Sequence, residues 1–157
     1  MNPFPPDDSP DAFDHRVTVH TPKKGFRTGI GIRQHTLVAD EPESVGGTDE
    51  GPTPYDLLGA ALGSCTAMTL RMYADRKGWP LRGITVHVEH ERVHADDCAH
   101  CESAEGRIDR LRRTLTLDGD LDDAQRARLT EIADRCPVHR TLQSEILITT
   151  DLAARDT

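Results

Sequence analysis

Apolar and polar positions alternate with different periods along this chain, and the period assigns the elements. Between Pro54 and Lys77 the residues Leu57, Leu58, Ala61, Leu62, Cys65, Met68, Thr69 and Met72 recur at offsets of three and four. That is the helical period, and it predicts one long helix with Cys65 inside its buried stripe. Thr53 is the expected N-cap, with Pro54 at the first helical position, where its missing N–H costs nothing. Gly78 followed by Pro80 supplies the stop. The opposite face carries Gly59, Ala60, Gly63, Ser64 and Ala67, small rather than charged. A helix without a wet face is interior to something.

Period-two patterns predict strands on both sides of this helix. Val17 and Val19 alternate with polar residues between His15 and His20; Phe26 to Ala39 reads as one or two further strands, with Gly29 and Gly31 at a bend. Glu43 to Pro54 is a Gly- and Pro-bearing loop. Beyond the helix, Ile84, Val86 and Val88 share one face of a strand over 81–94 and Thr85, His87 and Glu89 the other, a period that continues the apolar face through His90, Arg92 and His94. Arg107 to Asp118 returns as a strand after an irregular polar loop. Asp122 is the expected cap of a second helix with Leu129, Ile132, Ala133 and Cys136 on its apolar stripe, closed by Pro137; Glu145 to Thr150 reads as a last strand. Strands, helix, strands, helix, strand is the order of an α+β domain. Residues 1–13, rich in Pro and Asp, read as a solvated tail, leaving 14–157 as a single domain.

Composition changes that picture in two ways. An apolar fraction of 36 % and an aromatic fraction of 4 % in 157 residues leave little material for a core, which favours an oligomer that shares one. A net charge of −8 argues against a nucleic-acid partner. No stretch is long and apolar enough to span a bilayer, and Pro3, Pro5, Pro6, Asp7 and Asp8 stand where a signal peptide carries cations and an apolar run. The expected setting is cytoplasmic, without a membrane partner, where cysteines are catalytic, metal-binding or inert rather than structural disulfides.

Four cysteines carry the candidate chemistry. Cys65 and Cys136 each fall on a predicted apolar stripe, and free cysteine is among the most buried residue types, so packing alone accounts for either. Two features add a reactive reading: His139 and Arg140 beside Cys136 bring cations toward a thiol, and Gly63, Ser64 and Ala67 leave room for a substrate beside Cys65. Cys98-Ala99-His100-Cys101 is a single CxxC, which fits half a zinc site or a redox pair; a metal there would draw further ligands from His90, His94 or His100. A surface loop is the plain alternative. There is no phosphate-binding glycine loop and no G-x-S-x-G elbow.

The run Gly51-Pro52-Thr53-Pro54-Tyr55-Asp56-Leu57-Leu58, continued by Ala60-Ala61-Leu62-Gly63-Ser64-Cys65-Thr66, resembles the first cysteine motif of the OsmC/Ohr family, and Cys136-Pro137-Val138-His139 resembles its second. The likeness is closest to the OsmC-like branch with a Cys-Pro-Val-His motif. It implies two β-sheets wrapped around central helices in an intertwined homodimer, with active sites at the dimer interface. It also implies that Cys65 is the peroxidatic thiol and Cys136 the resolving one. Organic or hydrogen peroxide would oxidise Cys65 to a sulfenic acid, Cys136 would close a disulfide, and an external thiol or dithiol would reduce it, with no bound cofactor. The family's glutamate ten positions before the first cysteine is replaced by Tyr55, with Asp56 next to it. Arg27 and Arg33 are candidates for the thiolate-supporting arginine, with Lys23 and Lys24 as substitutes. Two alternatives stand beside a peroxidase: a non-enzymatic small-ligand-binding protein of the same fold, and a metal-binding variant built on Cys98, Cys101 and the nearby histidines.

Overall fold

The structure is a computed structural model and describes residues 16–94 and 106–153. The tail over 1–13 and the segment holding Cys98, His100 and Cys101 lie outside the described residues. The chain forms two compact units that divide between Leu58 and Gly59.

The first unit holds a three-stranded antiparallel sheet in the order β1 (Val17–His20), β2 (Thr28–Ile32), β3 (His35–Ala39). Gly29 and Gly31 do not make the bend expected of them. Both sit inside β2, opposite Val38 and Thr36 on β3, and the chain turns instead at the polar pair Arg33-Gln34, between the paired residues Ile32 and His35. Arg33 takes the left-handed conformation this requires, at φ 53°. A two-residue polar connection defines the hairpin, and the conformational freedom of the glycines is not needed to make it.

After β3 the loop into the long helix is tied down by one buried carboxylate. Asp40 accepts from the Thr48 hydroxyl at 2.6 Å and from the backbone N–H groups of Glu41, Thr48 and Glu50 at 2.8, 3.1 and 3.3 Å. These bonds, the Thr48 hydroxyl foremost, hold its carboxyl at about 2 against an ordinary 3.8, although burial pushes the other way.

Helix α1 (Pro54–Lys77) begins and ends as its sequence predicts. Thr53 Oγ1 accepts from the Asp56 N–H at 3.2 Å, and the Asp56 carboxylate returns to the Thr53 N–H and hydroxyl at 2.9 and 2.8 Å. Those bonds lower the Asp56 carboxyl from its ordinary range, the Thr53 hydroxyl contributing most. At the other end Gly78 is left-handed, its N–H reaches Asp75 O, and the Trp79 N–H reaches Ala74 O. That is the paired closure glycine permits.

The orientation of α1 departs from expectation. Its buried residues are Leu62, Gly63, Thr66, Leu70 and Ala74. Met68 and Met72 are 65 % and 64 % exposed, and Cys65 is half-buried. The reason is steric. Gly59 and Gly63 face Val88 of β4 (Leu81–His94), where an added Cβ at Gly63 would come within 3.3 Å of the valine. The small face admits the sheet closely, Leu62 and Leu70 are buried, and Met68 and Met72 turn outward.

In the second unit β4 pairs antiparallel with β5 (Arg107–Gly119), from Leu81 opposite Gly119 to His94 opposite Arg107. Helix α2 (Asp123–Ala133) opens on the expected Asp122 cap, reciprocated by Gln125. Leu70, Ala74, Leu81, Leu121, Leu129, Ile132 and Ala133 form the core, with Tyr73, Trp79, Ile84, Leu115 and Leu117 around it. Two expectations are corrected here. Cys136 is not on the stripe of α2: it caps a separate short helix α3 (Pro137–Leu142), and Pro137 opens that helix rather than closing the previous one. Glu145 to Thr150 carries strand-forming residues but belongs to no sheet among the described residues; Ile146, Leu147 and Ile148 lie exposed. A strand needs a partner edge for its N–H and C=O groups, and the described residues provide this segment with none.

Candidate functional site

Thr66 joins the two cysteine motifs. It follows Cys65 on α1 and is fully buried, and its Oγ1 lies 3.6 Å from Cys136 Sγ. Consecutive Cα atoms are ~3.8 Å apart, so the Cys65 backbone lies within about 10 Å of that sulfur. Both thiols are free. Cys136 is fully buried, while Cys65 is partly open.

Cys136 takes the N-cap position of α3, and its Sγ accepts the His139 backbone N–H at 3.3 Å. A sulfur here replaces the oxygen that usually caps a helix. Around it runs a polar network centred on Arg113 of β5, a residue to which neither the strand pattern nor the resemblance assigns a role. Arg113 Nη1 donates to Thr66 Oγ1 and to Ala133 O, each at 2.9 Å; Nη2 donates to Asp134 Oδ1 at 2.7 Å and to His139 Nδ1 at 2.8 Å. The guanidinium thus ties the end of α2, the start of α3 and the middle of α1 to one strand. Its side chain is only 12 % exposed, and bonds to carboxylate, carbonyl, hydroxyl and imidazole compensate its burial.

The network fixes one proton position. A guanidinium has donors only, so His139 Nδ1 is the acceptor and the ring carries its proton on Nε2. The cation beside Cys136 is therefore Arg113, one hydroxyl away, rather than the His139 side chain that its sequence position suggested. Thr66 Oγ1 also lies 2.7 Å from Leu62 O. Its one proton thus has two acceptors within reach, that carbonyl and Cys136 Sγ at 3.6 Å, while Arg113 fills a lone pair. The sequence carried one signal for Arg113: it lies on the β5 face with Leu111, Leu115 and Leu117, where a charged residue needs a partner.

The remaining sequence candidates occupy other places. Arg27 forms an ion pair with Glu50, and Asp56 is engaged by Thr53; Arg33 stands at the exposed hairpin turn. His90 Nε2 meets Asp109 Oδ1 at 2.9 Å, whereas His94 is exposed at the end of β4. Among the described residues no group of His, Cys, Asp and Glu is arranged to hold a metal ion. The Cys98, His100 and Cys101 part of that proposal falls on residues outside the described set.

The family described as OsmC-like protein matches residues 47–151, which include both cysteine motifs and Arg113. The chain belongs to the OsmC-like family. An OsmC-like protein from Mycoplasma pneumoniae superimposes with a TM-score of 0.65 at 16 % identity, covering 85 % of this chain and 89 % of that one. A protein from Psychrobacter arcticus 273-4 does so at 0.63 and 24 % identity, covering 83 % and 89 %. A Legionella pneumophila protein named organic hydroperoxide resistance protein OsmC reaches 0.62 at 15 % identity, covering 85 % and 91 %. At these identities the likeness is one of fold: an OsmC-like α+β fold with two antiparallel sheets and helices. No curated protein sequence matches the chain significantly. No helix among the described residues is long and apolar enough to cross a membrane.

Proposed function

We propose that this OsmC-like protein is a homodimeric thiol redox enzyme that reduces organic or hydrogen peroxide through Cys65 and Cys136. The observation that carries the proposal is the junction at Thr66, whose hydroxyl lies 3.6 Å from the Cys136 sulfur while its chain neighbour is Cys65. The name of the Legionella protein, organic hydroperoxide resistance, supports the choice of substrate.

The chemistry balances with two thiols. The Cys65 thiolate attacks one oxygen of R–O–O–H, the O–O bond breaks, and ROH leaves with a proton from solvent. Cys65 is then a sulfenic acid. Cys136 attacks that sulfur and displaces hydroxide, which departs as water, forming the Cys65–Cys136 disulfide. An external thiol or dithiol returns the two electrons. A resolving thiol matters because a sulfenic acid left alone oxidises further and irreversibly. Cytoplasmic thiols suit the last step.

A second copy belongs to the same reading. Met68 and Met72 are exposed on the α1 face that carries Cys65, and exposed methionines on a helix face are the material of an interface. The test is hydroperoxide consumption with a dithiol. Wild-type protein is expected to consume it and Cys65→Ser to lose that activity; equal rates would refute the peroxidase.

A further inference from the structure

The two sulfurs of the proposed disulfide are not equivalent toward a reductant. Cys136 is fully buried while Cys65 is partly open. A second copy seated on the methionine face would add cover beside Cys65 too, but it cannot remove the cover that closes Cys136 within its own chain, and that closure is what orders the two sulfurs. Charge forming on Cys136 Sγ would meet the His139 N–H at 3.3 Å and the Thr66 hydroxyl at 3.6 Å, with Arg113 donating to that hydroxyl from 2.9 Å. Thr66 is adaptable in the way this requires. Its proton lies toward Leu62 O at 2.7 Å, and a rotation about one bond turns it to the sulfur. Arg113 remains on a lone pair throughout.

We infer that Arg113 is a positioning residue which, through Thr66 and His139, prepares Cys136 as the departing sulfur, so that an incoming small thiol attacks Cys65. The inference rests on the disulfide of the proposed function. The thiolate R–S⁻ bonds to Cys65 Sγ, the Cys65–Cys136 bond breaks, and its electron pair leaves on Cys136 Sγ. The products are the mixed disulfide R–S–S–Cys65 and the Cys136 thiolate. A second R–S⁻ releases R–S–S–R and the Cys65 thiolate, so two thiols are oxidised and one protein disulfide is reduced. Access selects the attacked sulfur, and the stability of the departing thiolate sets how fast it leaves. Preorganised donors aimed at the sulfur where charge develops act without reorganising the fold.

The experiment separates this step from the peroxidase reaction. The full-length protein is oxidised with diamide, treated briefly with glutathione, acid-quenched, alkylated and peptide-mapped. Glutathione on Cys65 with Cys136 free is the expected result; glutathione on Cys136, or no Cys65–Cys136 disulfide to open, overturns the inference. Arg113→Met should open about tenfold more slowly, with Arg113→Lys recovering part of the rate. An unchanged rate in folded Arg113→Met overturns the role of Arg113. Should that variant not fold, Thr66→Val and Thr66→Ser test the same relay, with only the serine variant retaining the wild-type rate. If diamide-made disulfide opens at Cys65 but hydroperoxide is not consumed, the peroxidase reading fails and this one stands.

Discussion

At Thr66 one hydroxyl serves three partners: it lies within hydrogen-bonding reach of Leu62 O and Cys136 Sγ and accepts from Arg113. Thr66→Val keeps the shape and removes all three bonds, leaving one Arg113 donor facing a methyl group in a nearly closed environment. An unsatisfied buried polar group costs about 1–3 kcal/mol, so urea denaturation should show a loss of stability in that range, and Thr66→Ser should recover most of it. Asp40 supplies a prediction of a different kind. Its folded-state value of about 2 lies below the ordinary 3.8. Its contribution to stability is therefore fully present above pH ~4 and is lost as the pH falls toward 2. Thermal melts between pH 6 and pH 2 should show a decline for wild type that is shallower in Asp40→Asn, with the asparagine variant less stable at neutral pH. A parallel decline in both proteins would remove Asp40 from the account. Neither residue stood out in the sequence, because a threonine inside a helix and an aspartate before a loop have many ordinary roles. What makes them matter is a partner brought near by folding.

At the scale of elements, local signals were legible and facing was not. Thr53, Pro54 and Gly78 mark the ends of α1, and Asp122 marks the start of α2, because caps depend on neighbours in the chain. The face that α1 buries depends on what packs against it. The glycines that looked like a leftover face are the contact, since Val88 approaches Gly63 closely. The same logic explains why Cys136 caps α3 rather than lying on α2: Pro137 is equally suited to follow one helix or to open the next, and the fold selects the second. The cysteine motifs named the candidate thiols, while Arg113, on a strand remote in sequence from both, acquires its partners only in the fold. A substitution series at Gly63 tests the packing. Gly63→Ala gains about 1 kcal/mol of helix propensity against a mild clash and should be close to neutral in melting temperature. Gly63→Leu adds volume with nowhere to go and should cost about 1–3 kcal/mol or more. A leucine variant as stable as wild type would contradict the close approach of α1 and β4.

For the whole molecule, the thin core suggested by composition fits the apolar residues left outside. Met68 and Met72 on α1 and Ile146, Leu147 and Ile148 in the C-terminal segment are all exposed in the single chain. A second copy of the chain is the occupant proposed for the methionine face. Light scattering coupled to gel filtration should give the mass of a dimer for wild type, and Met68→Glu combined with Met72→Glu should shift the protein toward monomer. A monomeric wild type would refute the shared core. The central claim, however, is the redox pair. Wild-type protein treated with mild hydroperoxide should lose two hydrogens in intact mass, with peptide mapping assigning the new bond to Cys65 and Cys136. Both thiols recovered unmodified, or a disulfide that omits either of them, would contradict the account.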